Sequence, residues 1–191
     1  MGRFNVIPQD TFNDLQLDAG ILLTSFNPAS PTITDANIVT ATTGGISVSC
    51  VPTYSDMGED IDNCPINTKE LKHIDSWACS LSTTALGTTP EAIRFALGAA
   101  DITAASSKIA PRASLDAGAN GDFADLWWVG DRADGGLVAV KLINALSTGG
   151  FVLQTTKNGK GTITLEVTGH VSIADQSTPP IEFYSVDAPS A

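Results

Sequence analysis

The most regular hydrophobic pattern in the chain lies between Gly161 and Ile173. Apolar residues occupy every second position there, with one interruption at Gly169, and polar residues fill the positions between them. The apolar positions are Ile163, Leu165, Val167, Val171 and Ile173. The polar positions are Thr162, Thr164, Glu166, Thr168, His170 and Ser172. Alternation with a period of two is typical of a strand that buries one face, so this segment predicts one long, half-buried strand.

Turn sequences separate several further strand patterns. The Asn158–Gly159 pair in KNGKG predicts a tight hairpin turn between FVLQT and the long strand. RADGG predicts a second hairpin, between DLWWVGD and GLVAVKLI. Three more segments have strand character, namely ISVSCVPTY, DSWACSLSTTAL and IEFYSV. The chain is therefore predicted to be mainly β, with two packed β-sheets that form a sandwich or barrel.

One segment, TTPEAIRFALGAAD, has the pattern of a helix. Thr89 suits the N-cap, Pro90 the first helical position, and Glu91 the first turn, where the helix dipole favours an acidic side chain. The apolar face is predicted to hold Ile93, Leu97 and Ala100. The pattern indicates one short α-helix that flanks the sheets and closes an open end between them.

The chain is predicted to divide into an extended N-terminal arm, residues 1–35, and a single β-sandwich domain, residues 36–191. The first 35 residues contain Pro8, Pro28 and Pro31 and little periodicity beyond GILLTSF. Between two of the predicted strands, a long strand-connecting loop follows ISVSCVPTY.

The charge is strongly acidic and unevenly distributed. The 191 residues include 10 basic and 21 acidic ones, which gives a formal net charge of -11. From Met1 to Thr68 there is one basic residue, Arg3, against eight acidic ones. A surface this negative repels nucleic acids and anionic membranes, and no stretch approaches the roughly 18 apolar residues of a membrane helix. Nucleic-acid binding and membrane insertion are therefore disfavoured, and the N-terminus shows no export signal.

The acidic residues concentrate in YSDMGEDIDNCPIN, residues 54–67. The carboxylates of this loop are Asp56, Glu59, Asp60 and Asp62. They suit a metal site, a catalytic acid/base pair or a solvated loop that contacts a partner. Their spacing does not match a calcium loop of the EF-hand type, although an adventitious calcium site stays open. A glycosidase would need two carboxylates at a defined separation in a cleft, and the sequence supplies no cleft.

Other candidate chemistry is sparse. His73 and His170 have no second histidine or cysteine at metal-ligand spacing. Trp127 and Trp128 are adjacent in a strand, so their rings point to opposite faces and cannot form one flat stacking platform. The three cysteines, Cys50, Cys64 and Cys79, are interpreted as reduced thiols, the first and last as small apolar fillers on strands. We predict no catalytic residue, no cofactor and no bound metal.

The order of several long segments resembles the major tail protein, or tail tube protein, of long-tailed non-contractile bacteriophages (siphophages). These segments are AGILLTSFNP, TGGISVSCVPTYSDMGEDIDNCPINTKELKHIDSW, DLWWVGD, NALSTGGF and KGTITLEVTGHVS. The resemblance extends from about Leu17 to Ser185. Its specificity lies in the succession of segments, because no single short motif is diagnostic.

The resemblance implies a non-enzymatic structural protein of the virion tail, assembled in the host cytoplasm. Six copies would form a ring, and stacked rings would form the tube through which the genome is ejected. The implied partners are further copies of the chain, a tape measure protein in the lumen, the tail terminator, and baseplate or distal tail proteins. Viral DNA would pass through without specific binding, and no membrane contact is implied.

The resemblance also assigns the acidic loop and the long strand. The loop, with Tyr54, Asp56, Glu59, Asp60 and Asp62, corresponds to the strand-connecting loop that reaches the neighbouring ring, and we expect it to become ordered on contact. The polar strand face, with Thr164, Glu166 and Thr168, would line the lumen or meet a neighbour. The alternative is a carbohydrate- or receptor-binding β-sandwich module, which predicts monomers or trimers and stabilisation by sugar, whereas a tube protein predicts filaments that depend on concentration.

Overall fold

The structure is a computed structural model that describes residues 7–8, 10–119 and 121–188. It is mainly β, as predicted. The strands are β1 (Gln16–Leu23), β2 (Thr42–Asp56), β3 (Lys72–Ala85), β4 (Ala100–Thr103), β5 (Lys108–Pro111), β6 (Ala124–Arg132), β7 (Leu137–Ser147), β8 (Leu153–Gln154), β9 (Thr162–Thr168) and β10 (Ile181–Val186). The helices are α1 (Pro90–Leu97) and two short 3-10 turns, Asp35–Asn37 and Lys69–Leu71. Within the described ranges, every helix is too short or too polar to span a membrane.

Eight of the ten strands form two packed layers that share β7, while β4 and β5 pair only with each other. In the first layer β1 pairs with β6, β6 with β7, and β7 with β10. In the second layer β2 pairs with β3 and β3 with β9, which also pairs with β8 and with the last residues of β7. β7 changes layer at Asn144, which has a φ of 47°. The side-chain amide of Asn144 donates to the carbonyl of His170 at 3.1 Å and stabilises this bend.

The main core lies between the two layers and draws on both. Its buried members include Leu22, Leu81, Leu126, Leu142 and Val167. Cys79 also lies in this core, and Cys50 packs against it, so the prediction that both thiols fill apolar space is confirmed. Desolvation and the neighbouring Cys50 thiol, with Sγ atoms 3.3 Å apart, raise the pKa of Cys79 to about 12. Its thiol therefore stays protonated at neutral pH.

The long strand is confirmed as β9, but it is shorter than predicted. Ile163, Leu165 and Val167 are buried, whereas Val171 is 56% exposed and Ile173 is 91% exposed. β9 ends at Thr168. After a last bond from the amide of Gly169 to Cys79 of β3, the chain leaves this layer, and the amide of His170 donates to Ile143 of β7. The alternating pattern continues beyond this point without a sheet partner to bury it.

Helix α1 begins as predicted, with the Thr89 hydroxyl accepting from the amide of Ala92 at 3.2 Å. Its buried face was predicted incorrectly, since the buried residues are Ala92 and Ala96. Ile93 and Leu97 are only partly buried, and Ala100 belongs to β4. The small side chain of Ala96 lets the helix approach β9, where Ala96 joins a cluster with Ala85, Ile163 and Leu165.

The second half of the predicted N-terminal arm, residues 1–35, contains a strand of the sandwich. Residues 1–6 and 9 lie outside the described residues, but β1 falls within the predicted arm and pairs with β6. Leu22 and Leu23 are buried to 1% and 0% exposure, because GILL supplies apolar side chains to both faces of the sheet. The irregular part of β1 around Gly20, with a φ of 67°, is held by Trp128, whose ring N–H donates to the carbonyl of Ala19 at 3.0 Å.

The two adjacent tryptophans point to opposite faces, as predicted. Trp128 packs against the main core. Trp127 lies in a second cluster on the outer face of the first layer, between the rings of Phe26 and Tyr184 at centroid distances of 5.8 and 5.4 Å. Trp127 therefore packs beneath a loop and β10. The pair forms no common platform.

Two arginines hold irregular segments against the sandwich. The guanidinium of Arg112 binds the fully buried carboxylate of Asp122 and lies 3.3 Å from the exposed carboxylate of Asp101. The second carboxylate oxygen of Asp122 accepts from the amide of Asp116 at 2.8 Å, which fixes the loop between β5 and β6. Arg132, 9% exposed, binds three carboxylates from separate segments of the chain. They belong to Asp14, Asp134 and Asp187.

Candidate assembly surfaces

The hairpin of β2 and β3 extends beyond the rest of the sandwich. β3 pairs with β9 only from Ser80 to Ala85. From Lys72 to Cys79 it pairs with β2 alone, in a register that ends with Asp56 opposite Lys72. Residues 51–78, which we call the arm, therefore form a two-stranded projection about 20 Å long, since each strand residue advances about 3.3 Å. A two-stranded hairpin is marginally stable without a surface to pack on.

One face of the arm continues the core face of the sandwich but is uncovered. Cys79 is the last residue on this face of β3 that reaches the core. Beyond it, Trp77 lies opposite Pro52 and Ile74 lies opposite Tyr54. Tyr54 is 57%, Ile74 45% and Trp77 36% exposed. Exposed apolar side chains grouped on one surface mark an interaction site.

A groove of 520 Å³ lies between the arm and the segment from Gly169 to Pro180. Its apolar walls are formed by Ile74, Trp77, Val171, Pro179 and Pro180. The same groove carries polar groups from Ser76, Gln176 and Thr178. The uncovered arm face is therefore the wall of a concave surface into which another chain can fit.

Asp56, at the base of the acidic loop, is engaged within the loop itself. Its two carboxylate oxygens accept from the amides of Gly58 and Asn67, each at 3.0 Å, and the Lys72 ammonium lies 3.4 Å away. The Gly58 hydrogen bond first, then the one from Asn67, lower the pKa of Asp56. Asp56 therefore links the two ends of the loop.

The rest of the loop is ordered by its own backbone and presents a mixed surface. The backbone amide of Met57 donates to the carbonyl of Leu71 at 2.9 Å, and the backbone amide of Cys64 donates to the carbonyl of Ile61 at 3.1 Å. These hydrogen bonds lie within the chain, with Asp56 linking the two ends of the loop; further ordering on contact with a partner stays a prediction. Exposed apolar side chains stand beside the carboxylates of Glu59, Asp60 and Asp62. They are Met57, Ile61 and Ile66, the last 88% exposed.

We expect Asp56→Ala to loosen the loop without melting the sandwich. Because the folded-state pKa of Asp56 lies below its ordinary value of 3.8, the carboxylate's stabilising effect is present above pH 3.8 and lost as the pH falls through the lower folded-state value. Amide hydrogen exchange of Gly58 and Asn67 measures this order. Asp60→Ala, which removes an exposed carboxylate without hydrogen bonds to its side chain in the described structure, should leave that protection unchanged. Unaltered protection in Asp56→Ala would contradict the assignment.

The polar face of β9 continues across the second layer. Thr164, Glu166 and Thr168 lie opposite Thr84, Ser82 and Ser80 of β3. Ser82 and Ser80 in turn lie opposite Ser47 and Ser49 of β2. We call this surface of three adjacent strands the hydroxyl face. Its members are seven serines and threonines and one glutamate, namely Ser47, Ser49, Ser80, Ser82, Thr84, Thr164, Thr168 and Glu166.

The geometry gives little support to a metal site or to a pair of catalytic carboxylates. His73 is exposed on the arm, and the ring Nδ1 of His170 lies 3.2 Å from the carbonyl of Asn144 at the bend of β7. Among the residues the structure describes, no three His, Cys, Asp or Glu side chains converge as a metal site. Glu59, Asp60 and Asp62 line neither the arm groove nor the groove of 620 Å³ beside α1. The cleft that a pair of loop carboxylates would need for glycoside hydrolysis is not formed by either groove.

A scan against protein-family models and a search of curated proteins found no match. Among solved structures, the chain is similar to a chain of a structure titled "Virion of native gene transfer agent (GTA) particle". The two share 9% sequence identity with a TM-score of 0.44, over 87% of this chain and 95% of that chain. At this level the likeness carries no argument about function, so the surfaces of this chain must supply it.

Proposed function

We propose that the protein is a non-enzymatic virion protein that assembles into stacked hexameric rings, the tail tube of a long-tailed phage. The arm is the observation that carries the proposal. It extends the apolar core face of β2 and β3 beyond the covering layer and ends in an ordered loop with exposed apolar and acidic side chains. A neighbouring copy that covered Tyr54, Ile74 and Trp77 would supply the packing that the arm lacks within its own chain.

The open edges of the sandwich support lateral assembly. β2 and β10 each pair with one strand in the described structure and leave their other edge open, whereas the second edge of β1 is bonded to residues 37–39 near Leu23. An open strand edge pairs readily with another chain. Head-to-tail contacts between identical subunits close into a ring when the rotation allows and otherwise form a filament. The chain thus has surfaces for contacts within a ring and, in the arm, for contacts between rings.

The hydroxyl face supports a conduit. A channel through which DNA slides should hold few cations, because each lysine or arginine that neutralises a phosphate adds affinity. The hydroxyl face carries no basic residue, and its one charged member, Glu166, is acidic. We assign this face to the lumen, where a tape measure protein would lie before DNA passes. The tail terminator and the baseplate or distal tail proteins would bind the ends of the tube.

The loop provides the direct test of assembly. Replacing residues 57–71 by an Asn-Gly turn retains the terminal Asp56–Lys72 pair of the hairpin. We expect this variant to keep the circular dichroism spectrum and melting temperature of the sandwich but to form no filaments at concentrations where the unmodified protein forms tubes, counted by negative-stain microscopy. Trp77→Ser should weaken filaments through the arm face alone. Normal tubes from the shortened protein would overturn the assembly role of the loop.

The hydroxyl face yields a second test. We expect the unmodified protein, as monomer or tube, not to bind duplex DNA even at low salt, where attraction is least screened. Glu166→Lys should leave assembly intact and create salt-sensitive DNA binding by the tube, measured by co-sedimentation with labelled duplex. Asp131→Lys makes the same charge change at an exposed position of β6. This control should not create salt-sensitive DNA binding. Tight, salt-sensitive binding by the unmodified protein would contradict the conduit.

The carbohydrate- or receptor-binding module remains the second candidate, and Trp77 favours it. Its ring lines the arm groove beside the polar groups of Ser76 and Thr178, and aromatic surfaces next to hydrogen-bonding groups suit sugar rings. This candidate predicts a monomer or trimer whose melting temperature rises with a sugar. A tube protein predicts filaments that form as the concentration rises, with no sugar dependence.

A further inference from the structure

The two ends of the second layer carry opposite chemical character. β3 begins at the acidic loop with Lys72 and ends at Ala85. β9 runs antiparallel to it, with Ile163 opposite Ala85, so the turn that precedes β9 lies at the end of the layer remote from the loop. The 13 steps from Lys72 to Ala85 separate the two ends by about 40 Å at about 3.3 Å per residue. Each copy therefore presents the acidic loop at one end of the layer and the turn before β9 at the other end.

The loop end is acidic, with its lysines already engaged. Residues 54–77 contain six acidic and two basic residues, a formal charge of -4. Lys69 pairs with Glu70 at 3.3 Å and Lys72 with Asp56 at 3.4 Å. The carboxylates of Glu59, Asp60 and Asp62 are exposed and make no ion pair within the described structure.

The opposite end is basic and also carries exposed apolar side chains. Lys157 and Lys160 flank the turn at Asn158, whose φ of 60° suits a tight hairpin. Both lysines are exposed and form no ion pair among the described residues. Directly before the turn, Val152 is 58% and Leu153 45% exposed. This end, residues 152–160, thus matches the loop end in having exposed apolar side chains and opposes it in charge.

We propose that the acidic loop of one copy binds the basic turn, residues 152–160, of a second copy, head to tail. This inference rests on the proposed function and specifies which surface the loop reaches. Glu59, Asp60 and Asp62 would pair with Lys157 and Lys160, and Met57, Ile61 and Ile66 would cover Val152 and Leu153. Since both surfaces belong to every copy and lie at opposite ends of one layer, the contact repeats without limit along one axis.

The charges also give the contact a direction. Two loops brought together would place a formal charge of -4 against another -4, and two basic turns would likewise repel. Like charges at an interface suppress the wrong pairing, while opposite charges align the right one. The contact therefore favours a polar filament, in which every copy points the same way, and should weaken as salt increases.

Charge reversal tests this pairing in the full chain. Asp60→Lys with Asp62→Lys, and separately Lys157→Glu with Lys160→Glu, are each expected to raise the concentration needed for filaments by about tenfold or more, because several repelling contacts act together in each ring. The chain with all four substitutions should form filaments near the original concentration, as should an equimolar mixture of the two double variants. Lys108→Glu, an exposed lysine of β5 without an ion pair in the described structure, should have little effect.

Carbodiimide coupling supplies a readout that does not depend on variants. It joins a carboxylate to an amine that touches it, and mass spectrometry of mixed ¹⁵N-labelled and unlabelled protein identifies links between copies. We expect links from Glu59, Asp60 or Asp62 to Lys157 or Lys160. Filaments without these links and without rescue by the fourfold variant would overturn the pairing and leave the tube function standing. The links without filaments would support the pairing and overturn the tube, and a protein with neither would overturn both.

Discussion

Val167→Asp is expected to unfold the protein. Val167 is fully buried in the main core, in the same cluster as Leu81 and Leu142 from two other strands. An unpaired carboxylate at this position costs several kcal/mol, a large fraction of the roughly 5–15 kcal/mol that holds a domain folded. We expect the loss of a cooperative melting transition by circular dichroism, or a transition shifted far below that of the unmodified protein.

Thr164→Ala is the matched control on the other face of the same strand. Thr164 is exposed, and exposed substitutions usually change the free energy of unfolding by no more than about 0.5 kcal/mol. Urea denaturation of both variants gives the two values directly. If the two variants lost comparable free energy of unfolding, the assignment of Val167 to the buried face of β9 and Thr164 to the exposed face would be wrong.

Asp122→Ala is expected to cost about 3 kcal/mol of unfolding free energy, because it removes the carboxylate from a buried ion pair and leaves the guanidinium of Arg112 poorly compensated. The substitution also frees the amide of Asp116, which donates to Asp122 at 2.8 Å. The loop between β5 and β6 should therefore lose protection from amide exchange along with the loss of stability.

Asp101→Ala separates the buried pair from the exposed one. Asp101 contacts the same arginine at 3.3 Å, but its side chain is 66% exposed, against 0% for that of Asp122. Exposed ion pairs contribute about 0–1 kcal/mol, so this variant should melt close to the unmodified protein. If Asp122→Ala is as mild as Asp101→Ala, the buried pair does not hold this loop.

The strands could be predicted because their signals are local. The alternation around Leu165 and the turn at Asn158–Gly159 identify β9 and its hairpin without knowledge of the rest of the chain. The same kind of alternation could not reveal that the arm formed by residues 51–78 of the β2–β3 hairpin projects beyond the sandwich. Tyr54 and Trp77 follow the pattern of core residues, and only the end of pairing with β9 at Ser80 shows that no second layer covers them. A local pattern reports which face is apolar, but not whether anything lies on it.

The interactions that the sequence did not reveal join distant positions. The acidic loop was predicted as a contact surface, yet the role of Asp56 depends on the amide of Asn67, 11 residues away. The ion pair of Arg132 with Asp14 spans 118 residues. In the helix, the choice of Ala96 over Leu97 for the buried face depends on how closely α1 approaches β9. Composition and spacing do not encode such distances.

The pairing of β3 with β9 has a consequence for synthesis in the cell. The arm emerges from the ribosome well before β9, which lies some 80 residues further along the chain, and translation proceeds at about 5–20 residues per second. For on the order of ten seconds, the nascent hairpin therefore exposes Leu81 and Cys79 as well as Trp77 and Ile74. Long-range pairings of this kind also slow folding. We expect newly made chains to need a chaperone during this interval, so that expression at lower temperature raises the yield of soluble protein more than it raises total synthesis.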